Sequence, residues 1–460
     1  MSDIVSIMEK QRKFYSTGET LPISFRKEKL RALLASIEKH EAEILAALYE
    51  DLNKSSFEGY ITEVSIVKDE IKFTLKHLSR WAKPKRVKTP ITLFPGKSYR
   101  YREPYGITLI MAPWNYPFQL TLAPVVGSIS GGNCTVVKPS NYSPATSAII
   151  RKVLSECFAE DYIAVVEGGR DANQALLQQK FDYIFFTGGV TVGKLVMEAA
   201  SKNLTPVSLE LGGKSPCIVD KTADIDLTAK RIMWGKFVNA GQTCVAPDYI
   251  LVESVVKDEL IAAMKKWIVK FHGEKPLEDP ELPKIITQKH FERLSAFVDG
   301  RNAANGSVAF GGSTNPATRQ IEPTLLDSPT PDSPVMSEEI FGPVMPVIPV
   351  QDMNAAVAYV LSRPKPLALY YFTRNKKAQE RMVKTVPYGG GCINDTLIHL
   401  ATPYMPFGGV GNSGMGHYHG KESFTTFTHE KSVLKRGAWP DVPLRYQPYG
   451  DKLKIAKLFM

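Results

Sequence analysis

The stretch Gly106-Ile-Thr-Leu-Ile-Met-Ala-Pro-Trp-Asn-Tyr-Pro117, followed closely by Cys134-Thr-Val-Val-Lys138, decides the fold. Ile107 to Met111 is an unbroken apolar run, as in a strand buried on both faces. Pro117 to Ser130 predicts a helix, with Pro117 tolerated in its first turn. Cys134 to Val137 predicts the next strand. Val165-Val166 and Tyr183 to Phe186 predict two more, with helices near 143–157 and 171–179 between them. Short apolar strands alternating with helices make a doubly wound parallel sheet of the α/β class. Parallel strands need crossovers, and these connections are long enough. The rhythm then repeats: Cys217 to Val219, a helix near 224–238, Tyr249 to Glu253, a helix near 255–271, Val344 to Val350 and Ala368 to Phe372.

Upstream, Leu30, Leu33, Leu34, Ile37, Ile44, Leu45 and Leu48 recur at three- and four-residue spacing and predict one amphipathic helix over 25–51. A second helix is predicted over 61–82, ending before Pro84. Residues 83–105, with alternating Tyr99, Tyr101 and Tyr105, predict an extended arm. Asp327 to Pro334 is a proline-rich surface loop. Phe407 to Gly416 is too glycine-dense for a regular element. No repeat at solenoid periods is present.

A chain of 460 residues exceeds one ordinary core, so about two or three domains are expected. The composition, 43% hydrophobic and 23% charged, is that of a soluble globular protein. The five cysteines (Cys134, Cys157, Cys217, Cys244, Cys392) form no CxxC pairs. That argues against a disulfide framework and a zinc site and for a reducing compartment. Four of them read as small buried hydrophobes. No secretory signal is present, and no apolar run reaches the ~18 residues of a membrane span. A cytoplasmic protein is expected. The net charge of +10 is assigned to solvated faces and attraction for an anionic dinucleotide, because no stacking or Arg-cluster motif supports nucleic-acid binding. The basic stretch Lys452 to Met460 reads as a weakly amphipathic, frayed surface terminus.

Three motifs carry chemistry. Val-Asn-Ala-Gly-Gln-Thr-Cys ends at Cys244, Leu209-Glu210-Leu211-Gly212-Gly213-Lys214-Ser215-Pro216 precedes it, and Pro113-Trp114-Asn115-Tyr116-Pro117 lies further upstream. They offer a thiol, a carboxylate and a side-chain amide, the three groups an acyl-transfer site needs. A thiolate adds to an aldehyde readily, and the resulting alkoxide needs preorganised donors. The Asn115 amide suits this, with the Cys244 backbone N–H as second donor. Collapse expels hydride, which only a cofactor accepts. Water activated by Glu210 would then hydrolyse the thioester. Alone, each residue has a bland reading: an isolated Cys is core and an isolated Glu is a surface charge.

Together these motifs resemble the NAD(P)-dependent aldehyde dehydrogenase superfamily over nearly the whole chain. The matching segments are Met111 to Pro117, Val137-Lys138-Pro139-Ser140, Phe186-Thr187-Gly188-Gly189, Glu210 to Pro216, Gly241-Gln-Thr-Cys244 and Glu338-Glu-Ile-Phe-Gly-Pro343. Val245-Ala-Pro-Asp-Tyr249 and Pro406 to Gly416, followed by Tyr418-His419-Gly420, resemble its class 3, fatty-aldehyde-like branch. The resemblance implies Cys244 as nucleophile, Glu210 as base and Asn115 in the oxyanion hole. It implies a cofactor site, for NAD with NADP tolerated, built from Trp114, Lys138, Ser140, Gly188, Gly193, Glu339 and Phe341. In that site Lys138 would meet the adenosine ribose and Glu339 the nicotinamide ribose. Gly188 and Gly193 would let a helix N-terminus approach the pyrophosphate. The bland reading of Trp114 and Phe341 is core packing.

The resemblance also implies an aldehyde dehydrogenase-like fold. A Rossmann-type cofactor domain takes 1–82 and 106–211, and an α/β catalytic domain takes 212–395. A bridging β-arm takes 83–105 and 396–460 and supports a homodimer. The branch's membrane-bound members carry an apolar C-terminal tail that this sequence lacks, so no integral span is expected.

Two departures bear on the cofactor. Asn141 stands where the family commonly has a Glu that binds ribose hydroxyls, and Gly189 where it often has Ser. A carboxylate would repel a 2′-phosphate and an amide would not. His399, His417 and His419 lack metal-ligand spacing and are assigned substrate-entrance or structural roles, with no metal. Tyr60, Tyr116 and Trp234 point to a medium-chain aliphatic or aromatic aldehyde as the small-molecule substrate. Three alternatives stand beside aldehyde oxidation: acyl transfer to coenzyme A, thioester or ester hydrolysis without redox, and a binding protein on a dead enzyme fold. Glu210 argues against the first, the nucleotide-site residues against the second, and the intact Cys244, Glu210 and Asn115 against the third.

Overall fold

The computed structural model describes residues 2–459. Its first sheet has the order Gly414–Met415, Val207–Leu211, Tyr183–Gly188, Ile107–Met111, Cys134–Lys138, Ile163–Val165. All neighbours are parallel except the antiparallel two-residue edge Gly414–Met415. Strand order therefore reverses between Ile107–Met111 and Tyr183–Gly188. In doubly wound sheets, the crevice at the carboxyl ends of two such strands receives ligands.

The second sheet runs Ser307–Phe310, Thr324–Asp327, Val344–Val350, Tyr249–Glu253, Pro216–Val219, Ala368–Phe372, Gly390–Ile393, parallel except at its first pair. The expected strands lie within these two sheets; at the third the register starts earlier, at Ile163.

Residues 83–105 contain two extended segments, as their alternation predicts. Lys85–Val87 and Lys97–Pro104 pair antiparallel, and Thr428–Lys435 adds the third strand. The arm strand Lys97–Pro104 is paired along its whole length, from Lys97↔Lys435 to Pro104↔Thr428. Arg100 and Arg102 both engage Glu430 across it.

Helix Gln119–Gly131 is buried on every side, which explains a sequence that is apolar all round. It sits between the first sheet and helices Ile23–Lys39, Ser65–Trp81 and Lys421–Thr426.

Some expectations need correction. The single helix over 25–51 is two, Ile23–Lys39 and Glu41–Leu52, broken at His40. The His40 ring meets Glu43 at 2.8 Å and Glu156 of helix Pro144–Cys157 at 2.6 Å. A distant helix therefore fixes the break, and both halves bury leucines and isoleucines at one spacing, so the periodicity runs through it. The second helix begins with a π-turn, Tyr60–Val64, before Ser65–Trp81. The glycine-dense segment does contribute an element, the strand Gly414–Met415. The stretch after Lys452 is a helix, Lys452–Phe459, rather than a frayed end. Helix Ser2–Ser16 and strand Val207–Leu211 were not expected at all. No helix among the described residues is long and apolar enough to cross a membrane.

Candidate active site

Cys244 follows a strained turn. Asn239, Ala240 and Gly241 take φ of 54°, 50° and 72° in succession. Left-handed backbone at non-glycine residues is held only where surrounding contacts over-determine it. Here the Asn239 N–H donates to the Glu58 carboxylate at 2.8 Å. Its side-chain amide donates to the Asn115 carbonyl at 2.8 Å and to the Gln242 carbonyl at 3.1 Å. The Gln242 amide donates to the Asn239 and Lys284 carbonyls, both at 3.1 Å. The turn is thereby locked and delivers Cys244 to the end of a cavity.

That cavity is lined by Ile61, Ile66, Leu120, Trp234, Val238, Leu397, Ile398, Leu400 and Phe407, with Thr62, Tyr116, Gln119, Thr243, Tyr418 and His419 as its polar members. No Lys, Arg, Asp or Glu lines it. Tyr116 and Trp234 are there as expected, but Tyr60 is not. Tyr60 begins the π-turn, is exposed, and lies near Lys68.

Asn115 leaves the carboxyl end of strand Ile107–Met111 and is buried. Its side-chain amide donates to the Gln242 carbonyl at 3.1 Å. One N–H is thus held against the turn that carries Cys244, and the amide's other N–H remains to donate. The Tyr116 hydroxyl meets the Thr243 hydroxyl at 2.6 Å, a second tie to the residue beside the thiol.

Glu210 sits on strand Val207–Leu211, 3% exposed, and neither carboxylate oxygen has a hydrogen-bond partner. Burial raises its pKa well above the ordinary carboxylate range. Burial pushes the Cys244 thiol up to about 12, and the Glu339 and Glu210 carboxylates add to that. The backbone N–H groups of Cys244 and Val245 act the other way. The thiol is therefore protonated at rest, and two carboxylates and two main-chain donors act on its sulfur.

Of the residues expected to hold a cofactor, Lys138 and Gly188 end strands of the first sheet and Trp114, Ser140 and Gly193 follow its strands, whereas Glu339 and Phe341 precede strand Val344–Val350 of the second. Thr187 pairs in register with Glu210, and its buried hydroxyl also lacks a partner. Gly188 ends the strand and Gly193 lies in the first turn of helix Val190–Ser201. A Cβ on Gly193 would come within 2.7 Å of Leu211, so glycine permits that helix to close on the strand carrying Glu210. The space about Gly189 is open. Glu339 lies against Gly212, where a Cβ would stand 2.1 Å from its carboxylate. Burial and Asp248 push the Glu339 carboxyl up to about 8.

Phe341, at φ 51°, meets the Trp114 indole edge-on with ring centroids 5.4 Å apart. Lys138 and Ser140 are both buried. The Lys138 amine donates to the Pro139 carbonyl at 2.7 Å and burial lowers its pKa to about 8. A crevice with unpartnered polar atoms, a helix N-terminus and open space at Gly189 fits a dinucleotide.

The histidines divide. His419 lines the substrate cavity and stacks on Tyr418 at 4.2 Å. His399 lies behind it, 3.6 Å from the Cys392 sulfur. Burial brings both down to about 4. His417 faces outward and pairs with Glu422 at 3.3 Å. Among the described residues no three His, Cys, Asp or Glu side chains are grouped to hold a metal.

Several site residues escaped the sequence reading. Lys54 and Glu63 are fully buried, form an ion pair at 2.6 Å, and reach the Asn115–Gln119 backbone. They lie far from the motifs in sequence and alternate with polar residues, so they read as a solvated face. Asn239 and Gln242 stand inside the Cys244 motif, but its wording says nothing of what they hold.

The aldehyde dehydrogenase family model matches residues 1–433. The 4,4′-diaponeurosporen-aldehyde dehydrogenase of Staphylococcus aureus is 49% identical, covering 97% of this chain and 96% of that one. Aldehyde dehydrogenase family 3 member H1 of Arabidopsis thaliana is 43% identical over 98% of this chain and 94% of its own. The dimeric NADP-preferring aldehyde dehydrogenase of Mus musculus is 44% identical over 95% of both. A substrate-bound structure of Staphylococcus aureus AldH superposes with a TM-score of 0.97, at 48% identity and 99% coverage of each chain. The chain therefore belongs to the aldehyde dehydrogenase family, on its class 3 branch, and is an enzyme that oxidises aldehydes.

Proposed function

We propose that this enzyme converts apolar aldehydes, medium-chain aliphatic or aromatic, to carboxylic acids through a thioester on Cys244, with NAD as cofactor and NADP accepted. The observation that carries the reading is a cavity lined by Cys244, with the Asn115 amide bonded to the turn that carries this thiol and the buried, unpartnered Glu210 carboxyl acting on its sulfur. Sγ of Cys244 forms a bond to the aldehyde carbon as its proton passes to ionised Glu210. The carbonyl oxygen becomes an alkoxide, stabilised by the Asn115 amide and the Cys244 N–H. The dinucleotide, when bound, supplies the acceptor for the hydride that leaves this carbon. Glu210, after releasing the first proton to solvent, takes a second from the water that attacks the thioester. The C–S bond breaks and the acid departs. A carboxyl oxygen pair with no fixed partner is free to hold that water, which favours hydrolysis over transfer to coenzyme A.

Several finer points belong to the same reading. Asn141 is exposed and carries no charge to repel a 2′-phosphate, which supports NADP acceptance. The mouse relative is named NADP-preferring, and a Staphylococcus aureus betaine aldehyde dehydrogenase structure at 25% identity and TM-score 0.85 holds NAD+. We assign Lys138, Ser140, Gly188, Gly193 and Glu339 to the cofactor, with Trp114 and Phe341 at its nicotinamide end. The domain division at 211/212, the arm of 83–105 with 396–460, a homodimer and a cytoplasmic setting complete the proposal. The relative named dimeric supports the dimer.

The test is absorbance of the reduced cofactor with benzaldehyde and with hexanal, wild type beside Cys244→Ala. Reduction by the wild type alone supports the reading. No reduction by either, with NAD or NADP, overturns it in favour of acylating or non-catalytic roles, which added coenzyme A separates.

A further inference from the structure

Lys54 stands two residues after helix Glu41–Leu52, where Asn53 turns the chain at φ 56°. Its ammonium is fully buried and has three neighbours. It donates to Glu63 at 2.6 Å and to the Asn115 carbonyl at 2.9 Å, and it lies 3.9 Å from the centroid of the Tyr116 ring. Glu63, in the π-turn, spends its other oxygen on the N–H groups of Phe118 at 2.8 Å and Gln119 at 3.2 Å. The pair thus grips the backbone from Asn115 to Gln119 at both ends. The Asn115 carbonyl accepts a second hydrogen bond, from the Asn239 amide, so it is also tied to the Cys244 turn.

A buried ion pair is a poor way to stabilise a fold, because desolvation of both charges offsets their attraction and apolar residues of similar volume do as well. This pair is spent on one peptide segment, and that segment carries the oxyanion donor. The bonds to the Asn115 carbonyl fix the main chain from which its side chain leaves, and neither Lys54 nor Glu63 lines the cavity that holds Cys244. π-turns within helices are often found at functional sites, in keeping with this placement.

We infer that the Lys54–Glu63 pair is a positioning device for catalysis: it fixes the Asn115 main chain so that its side-chain amide meets the alkoxide formed on Cys244. The inference rests on the oxyanion role proposed for Asn115. Lys54 and Glu63 act through Asn115 and do not touch the reacting atoms.

The test uses the full-length enzyme and a double-mutant cycle. Lys54→Met/Glu63→Gln removes both charges of the pair together, and the neighbouring Glu58 carboxyl keeps its hydrogen bond from the Asn239 N–H. Three quantities are read: kcat/KM for hexanal with NAD, the rate of Cys244 alkylation by iodoacetamide, and Tm. Alkylation displaces iodide at a saturated carbon and forms no alkoxide, so it reports the thiol without the oxyanion hole. The expected result is a 10- to 100-fold loss of kcat/KM with alkylation changed less than about two-fold. In an Asn115→Ala background the same double substitution should cost less than about three-fold, because the donor it positions is gone.

Lys54→Arg, which keeps the charge while changing the donor geometry, provides the variant least apt to unfold. It should lower kcat/KM while Tm holds. An undiminished loss in the Asn115→Ala background would overturn the inference, as would alkylation falling in parallel with turnover, or wild-type activity in the charge-free variant. If Asn115→Ala alone leaves kcat/KM unchanged, the oxyanion assignment fails and takes the inference with it. A large Asn115→Ala loss with full additivity sinks the inference alone.

Discussion

Glu210 carries a contradiction that makes it testable. It is a carboxyl group in a place where ionisation is disfavoured, and the chemistry requires it to ionise. A raised pKa is what a general base needs, so turnover should climb as pH rises above the ordinary carboxylate range, as ionised Glu210 accumulates. Glu210→Gln should slow both the first turnover, in which the Cys244 proton leaves, and the steady state, with kcat down about 10²- to 10⁴-fold. A full-rate burst of one equivalent of reduced cofactor followed by a stall would place Glu210 in hydrolysis only.

The same shift fixes a stability effect. A carboxyl whose folded pKa lies above its unfolded value contributes fully below the unfolded pKa, near 4.3, and that contribution is lost as pH rises. Glu210→Gln should therefore raise stability at pH 8, and by less at pH 5. Thermal melts at the two pH values check this, and a gain that is larger at pH 5 would reverse the sign of the argument. At this scale Cys244, Glu210 and Asn115 were legible because three motifs occur together in order. Lys54 and Glu63 were not, since what they hold lies 61 and 55 residues away in the chain.

Among the elements, strand Val207–Leu211 shows best why the rest was not legible. Its Val207, Leu209 and Leu211 alternate with Ser208 and Glu210 after Pro206, a strand's period, but over five residues only, and the segment runs into the Leu209–Pro216 motif, which was read for its chemistry alone. Pairing with Tyr183–Gly188 on one side and Gly414–Met415 on the other makes it a strand, and neither partner is visible from within the segment. The arm was read for a better reason: its tyrosines alternate. Its long partner Thr428–Lys435 was not, because about 330 residues separate them.

Gly212, just beyond that strand, supports a prediction about the crevice. A Cβ there meets only the far end of the Glu339 side chain, which can swing away. Gly212→Ala should therefore fold normally while displacing Glu339. The KM for NAD should rise about ten-fold, equivalent to about 1.4 kcal/mol. Adding Glu339→Gln to that variant should change little more, because the group it removes has already moved. Additive losses would show that Glu339 and Gly212 act separately.

For the whole molecule, the two sheets and the helices over them enclose a cavity that Cys244 lines, and the character of that lining bears on what enters. Apolar side chains dominate it and no charged side chain lines it. Burial of one methylene is worth about 0.8 kcal/mol. Lengthening an aliphatic aldehyde from butanal to hexanal should therefore raise kcat/KM roughly four-fold per carbon, until the chain outgrows the cavity. A carboxylate at the far end of the substrate would lose its hydration and find no cation, so succinic semialdehyde should react at least about ten-fold less efficiently than hexanal.

Leu400→Arg places a guanidinium in that lining. It should shift the ratio toward the semialdehyde by about ten-fold while reactivity toward acetaldehyde, too short to reach it, stays near wild type. Measured kcat/KM for the four aldehydes on both proteins decides the matter. A wild type that prefers the semialdehyde, or a chain-length series that is flat, would mean that the apolar lining does not bind the tail of the substrate.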